Sequence, residues 1–274
     1  MSFSYRRIPL LLLLAVATCL LALHIPSSAV SAELSAADII SKSAARRTIT
    51  NSEQTMVMEI FDKMGRSRVR KIVSRVKDSD GVSKSHVEFI EPEDVNGVQF
   101  LTIQNPAGED FQWLYMPASG VLNQISGSSR RGSFMGSDFS FEDLNVGQVD
   151  DGAHSLSPES SIDVDGKAVA VYVVESIPKA ELKSAYTRIL TYIEKDRLMP
   201  RKVEFFGKKG VHVKTMTILD VQDKGGVFVP MRTRMENLKR GTRTEVRVED
   251  IQVNLPAEKL PDYLFTPESL QSEG

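Results

Sequence analysis

The sequence predicts an α+β fold, mainly antiparallel β and gathered into one strongly curved sheet, and three observations carry that prediction. From Ser52 onward the hydrophobic period is two. Asp-Gly and Gly-rich pairs interrupt the pattern repeatedly, as hairpin turns require. A helical period occurs once, ahead of the first strand.

That helix is predicted over 34–47. Ser35 can cap it, Asp38 falls in its first turn, and Arg46 and Arg47 sit where the helix dipole favours cations. Ala36, Ile39, Ile40 and Ala44 give it one side to bury. In the first strand Met56, Met58 and Ile60 alternate with Val57, Glu59 and Phe61. Met64-Gly65-Arg66 turns the chain, and 69–77 runs back. Further strands are predicted at 86–91, 98–104, 111–116 and 121–126, then at 168–176, 187–195 and 201–206. Segments 211–221, 227–236 and 242–253 complete about eleven or twelve strands. Asp80-Gly81, Asp165-Gly166, Gly207 to Gly210, Gly225-Gly226 and Gly241 separate them. Segments 256–264 and 267–270 resemble short helical turns.

Several strands reach ten residues or more, which suits a coiled single sheet better than a small sandwich. Phe111, Trp113 and Tyr115 alternate with Leu114 and Met116, so bulk lies on both faces of that strand. A sheet with one face in water should alternate more cleanly. No repeat, long linker or second domain interrupts 33–274, which is expected to form a single domain.

Residues 1–32 have the form of a secretory leader. Arg6 and Arg7 precede an apolar run from Leu10 to Leu23, and Val30-Ser31-Ala32 offers a small-residue cleavage site before Glu33. The run is shorter than the ~20 residues that a membrane-spanning helix needs. Lipid anchoring at Cys19 is the alternative, but Thr18 is a poor residue before a lipidated cysteine and the apolar run continues past it. Cleavage after Ala32 removes two arginines and the chain's one cysteine, taking the formal net charge from −2 to −4. The mature protein is then expected in the periplasm, without disulfides, and held by a hydrophobic core. Its mildly acidic balance argues against nucleic acid as a partner.

Groups that carry chemistry are sparse. After the leader only His86, His154 and His212 remain, too scattered in sequence to suggest a metal site, and no cofactor is expected. Gly136-Ser137 invites a nucleophile but lacks the G-x-S-x-G elbow. Glu142 and Asp143 are adjacent carboxylates, which on a helix diverge, so a surface or capping role is expected rather than acid/base work. No Gly-rich phosphate cradle lies between a strand and a helix. Arg66, Arg68, Arg70 and Lys71 crowd one hairpin, and Lys208 and Lys209 another. They leave open a partner, an anionic lipid surface, or simple solvation of strand edges. Met56, Met58, Met116, Met135, Met216, Met231 and Met235 are spread over several segments. They serve equally as core filler and as an adaptable pocket lining.

The most informative tract is RRGSFMGSDFSFEDL at 130–144. Its backbone is Gly- and Ser-rich, as in a loop, yet it carries Phe134, Met135, Phe139 and Phe141. Such a segment either folds back over the core or lies on something apolar. GSFMGSDFSFEDL resembles the signature of the outer-membrane lipoprotein-sorting-like family, a branch of the LolA/LolB superfamily of periplasmic carriers. HVEFIEPEDVNGVQFLTIQNP (86–106) and EDFQWLYMPASG (109–120) are similar to blocks of the same family in the same order. One departure is the uncharged stretch Val121, Leu122, Asn123 and Gln124, where a basic one is expected.

The resemblance implies a LolA-like half-barrel covered by helices and loops, whose hollow holds lipid or lipoprotein acyl chains without chemistry. Within it, Phe134, Met135, Phe139 and Phe141 are expected to form a lid hinged at Gly132 and Gly136. Trp113 and Tyr115 are expected to line the hollow, while Arg130 and Arg131 meet a lipid head group. Phe139→Asp should then weaken binding. An inner-membrane exporter complex and peripheral contact with a membrane are the further partners implied. The competing reading is a periplasmic sensor or accessory protein of an envelope transport system; a secreted hydrolase would depend on Ser137.

Overall fold

The computed structural model describes residues 34–47, 51–145 and 152–271. The predicted leader and Cys19 lie outside them. Among the described residues there are thirteen strands, all in one antiparallel sheet, and one α-helix. No helix among them is long and apolar enough to cross a membrane.

Helix α1 spans Ala36–Arg47 and is capped as its sequence predicts. Asp38 N–H donates to Ser35 Oγ at 3.1 Å, and Ser35 N–H returns a bond to Asp38 Oδ2 at 3.1 Å. Ala36 and Ile39 are buried against Val174 and Ile193 of the sheet. The strands are β1 (Asn51–Phe61), β2 (Ser67–Ser79), β3 (Val82–Glu91), β4 (Gln99–Ile103), β5 (Phe111–Met116) and β6 (Val121–Ile125). After the aromatic tract come β7 (Gly152–Val164), β8 (Lys167–Pro178), β9 (Arg188–Glu194), β10 (Pro200–Phe206), β11 (His212–Asp223), β12 (Phe228–Asn237) and β13 (Thr242–Val253). Twelve match predicted segments. The addition is β7, with sequence GAHSLSPESSIDV, too polar to show an alternating apolar face; its register slips between Ser157 and Ser160, beside Pro158. That proline is tolerated because β7 is an edge strand.

The sheet order is β6-β5-β4-β3-β2-β1-β13-β12-β11-β10-β9-β8-β7. Two meanders, β1–β6 and β7–β13, thus meet where the first strand pairs with the last, Ser52 opposite Val253 and Ile60 opposite Thr244. Edges β6 and β7 do not pair with each other, so the sheet is unclosed. Turn chemistry explains the tight hairpins: Asp80 and Gly81 both have positive φ, 54° and 76°, as a type I′ turn demands.

Each face of the sheet has its own cover, which explains the bulk on both sides of β5. On one face Met58, Ile72, Phe89, Phe100, Leu114 and Met235 pack with the aromatic tract. On the other, Leu101, Trp113 and Tyr115 pack under the C-terminal 3-10 turns through Leu260, Phe265 and Leu270. Lys77 fastens that cover, donating to the Leu260 carbonyl at 2.9 Å and to Asp262 at 2.8 Å. The cover is therefore one α-helix with short turns, rather than several helices.

Candidate functional site

The tract at 130–144 is folded as a small knot and is not an open loop. Three 3-10 turns, Gly127–Arg131, Phe134–Gly136 and Phe141–Leu144, are joined by a bridge between Ser133 and Ser140. Phe134 N–H donates to the Phe139 carbonyl at 2.8 Å, and Phe141 N–H to the Gly132 carbonyl at 3.2 Å. Both proposed hinge glycines have local reasons to be glycine. A Cβ on Gly132 would stand 2.9 Å from the Ser129 carbonyl oxygen, and Gly136 has φ of +75°. Phe134, Phe139 and Phe141 are buried, and the Phe134 ring lies 5.2 Å from Phe100 and 5.7 Å from Phe89. Phe139→Asp would therefore bury a charge in the core before it could report on a ligand.

Polar anchors tie the knot to strands across the sheet. Asp138 is 2% exposed and accepts from Thr242, Thr244 and Arg240, the last at 2.6 Å. Arg70, one of the cations crowding the first hairpin, is buried; it donates to the Met135 carbonyl and lies over the Phe89 ring. Gln112 donates to the Phe141 carbonyl at 2.9 Å. Asp143 binds Lys214 at 2.7 Å and Tyr186 Oη at 2.6 Å, and caps its turn through Ser140 N–H. Burial, reinforced by Asp143, pushes the Tyr186 phenol far above its ordinary range, so it stays a donor. Glu142 accepts from Ser184 Oγ and from Ala185 N–H at 3.0 Å. The two carboxylates are thus capping and anchoring groups, as the sequence suggests in part, but half-buried ones that reach distant segments.

Beside the knot lies a cavity of about 320 Å³. Its floor is apolar: Ile189, Ile193, Val203, Phe205, Met216 and Met235, from β9 to β12. Helix α1 contributes Ile40 and Ser43, and the knot contributes Arg130, Arg131 and Asp143. Arg130 is 5% exposed; it faces Glu109 at 3.3 Å and donates to Asn145 Oδ1, yet its Nε has no hydrogen-bond partner. Gln112 Oε1, on the side chain that also reaches Asn145, is likewise unpaired.

The structure divides the predicted binding residues. Arg130 and Arg131 border the cavity. Phe134, Phe139, Phe141 and half-buried Met135 fill the adjoining part of the same face. Trp113 and Tyr115 correct the expectation, because they cannot share that hollow. Cross-strand partners share a face; Leu114 opposes Phe100 under the knot, while Trp113 opposes Leu101 and points the other way. Tyr186, Lys214, Gln112 and Asp138 were not singled out from sequence, because their roles arise from contacts distant along the chain.

Other chemistry finds little support in the side-chain arrangement. Ser137 Oγ accepts from Phe139 N–H at 3.2 Å inside its own turn. His86 binds Gln99, His154 binds Ser176, and His212 stacks on Phe206. Among the described residues no three His, Cys, Asp or Glu side chains could hold a metal ion.

An unclosed antiparallel sheet in this order, with a knot of loop on one face, defines a protein of LolA-like architecture. The chain belongs to a family described as "Uncharacterized protein", whose model matches residues 81–272. Among solved structures, it is similar to a DUF1329 family protein from Desulfovibrio piger ATCC 29098, with 27% identity and a TM-score of 0.79. That match covers 86% of this chain and 97% of the other. It is also similar to a domain from Vibrio parahaemolyticus classed with outer membrane lipoprotein-sorting proteins, at 28% identity and TM-score 0.77, covering 86% and 98%. A LolA superfamily protein from Nitrosomonas europaea shares the fold at 20% identity and TM-score 0.65, covering 85% and 98%. No curated protein matches.

Proposed function

We propose that the protein is a periplasmic, non-enzymatic carrier that shelters a lipid or lipoprotein acyl chain in the cavity beside the knot. The observation that carries this reading is an apolar floor ending at a buried arginine with an unpaired Nε. Such a site matches an amphiphile: methylenes against Val203, Phe205 and Met235, and an anionic or carbonyl head toward Arg130. Shelter is needed because an acyl chain of about 15 methylenes costs on the order of 12 kcal/mol to expose to water. The leader at 1–32 would place the carrier in the periplasm, and the likeness to a lipoprotein-sorting domain fits that setting. At about 320 Å³ the cavity is at the small end of ligand sites, which run from about 300 to 1,000 Å³. It suits part of one chain or a small amphiphile.

The same reading takes the sheet as a curved half-barrel, and one pair of contacts supports that form. Gln112 of β5 and Lys214 of β11 both bind the short turn Phe141–Leu144, although seven strand spacings separate them in sheet order. Laid flat, those strands would stand roughly 34 Å apart at ~4.8 Å each, beyond the reach of two side chains that bind turn residues two positions apart.

Native mass spectrometry of the mature protein, with titration of a fluorescent fatty-acid probe, tests the proposal. Val203→Trp should fill the floor and lower probe affinity by about tenfold or more, about 1.4 kcal/mol or beyond, while the protein stays folded. Absence of co-purifying lipid, together with equal probe binding by the variant, would overturn it.

A further inference from the structure

We propose that one end of the sheet is a docking surface for an anionic lipid bilayer, formed by the tips of three hairpins. In an antiparallel sheet alternate hairpins turn at the same end. The β1–β2 turn, the β12–β13 turn and the β10–β11 turn therefore project together. Each carries an exposed large apolar residue next to exposed cations. Met64 is 67% exposed beside Lys63 and Arg66, Leu238 is 48% exposed beside Lys239 and Arg240, and Val211 is 57% exposed following Lys208 and Lys209. Hairpin tips favour Gly, Asn, Asp and Ser, so an apolar residue on each of three is not turn chemistry.

The opposite end has a different character. Four of its turns present exposed Asp80, Asp165, Asp196 and Asp223, with Lys167 and Arg197 beside two of them, and carry no exposed large apolar side chain; the β4–β5 turn at that end leads into a single one, Phe111. The chain is mildly acidic overall, so the cationic end reflects how charge is distributed and not an excess of it. At the cationic end Asp62 is already paired with Arg66, and the exposed acids Glu91, Glu93, Asp94 and Glu181 sit on or beside flanking connections. Lys63, Lys208, Lys209 and Lys239 have no ion-pair partner among the described residues. Between the first two hairpins lies a hollow of about 470 Å³ lined by Phe61, Arg66, Arg68 and Arg240.

The spacing selects the partner. Adjacent tips are two strands apart, roughly 10 Å, so three separate apolar points span roughly 20 Å in a row. Isolated points on separate hairpins do not make the contiguous apolar patch that a protein groove matches. They suit a soft interface that admits each side chain separately while lysines meet anionic head groups. This docking goes beyond the carrier reading and does not depend on it.

Co-flotation with vesicles tests the surface, comparing phosphatidylglycerol–phosphatidylethanolamine with phosphatidylcholine alone. Wild-type protein should float with the anionic vesicles only. High salt should release it, since the Debye length falls to about 3 Å at 1 M. The double variant Lys208→Glu, Lys209→Glu should partition about tenfold less or weaker still. Met64→Ser with Leu238→Ser should weaken binding while leaving its salt dependence in place. Val203→Trp should dock as wild type does, which separates this surface from the cavity. Failure of wild type to float with anionic vesicles, or equal flotation of the lysine variant, would overturn the proposal.

Discussion

Asp138 shows how much a single side chain determines here. It is a carboxylate with almost no contact with water, satisfied by two threonine hydroxyls and a half-exposed arginine. Asp138→Ala would leave the Thr242 and Thr244 hydroxyls of the central strand β13 without their acceptor, and Arg240 with only the Ser137 carbonyl. The expected cost is about 2–4 kcal/mol, read as a lowered urea midpoint with an unchanged slope. His86 acts through protonation instead. Burial first, then Arg75, holds its imidazole below the ordinary value, and its Nδ1 has no partner. The unfolded chain then takes up a proton at a higher pH than the folded one. Stability should be full above about pH 6.5 and fall as the pH drops below it. Urea midpoints measured between pH 7.5 and 5.5 should show this slope, and His86→Gln should flatten it.

At the scale of elements, what could be read from sequence depended on whether the signal was local. Helix α1 and its cap, twelve strands and the Asp-Gly turns all rest on neighbours within a few residues, and all were legible. Strand β7 was not, because an edge strand rich in serine shows no apolar alternation. Its start is nonetheless tightly specified: a Cβ on Gly152 would lie 2.3 Å from the Ile177 carbonyl oxygen in β8. Gly152→Ala should cost about 1–2 kcal/mol and selectively raise amide exchange at 153–157. The aromatic tract was found from composition alone, and its burial fits the plainer expectation that it folds over the core. Which face of β5 it covers could not be read. Leu114 and Trp113 are both large and apolar, and only the distant C-terminal turns explain why both are needed.

For the whole molecule, the decisive feature is the pairing of β1 with β13 at the middle of the sheet. Every other strand pair joins consecutive segments and can form soon after its two members exist. The central pair must close nearly the entire chain, at an entropic cost that no local turn offsets in advance. A chain made from its N-terminus therefore holds β1 ready long before its second partner exists. The β1–β6 meander has to wait with one long strand edge open, and its apolar residues incompletely covered, until the last strand arrives. Within each half the strand pairs can form as their members are made, but the seam between the halves is a late event.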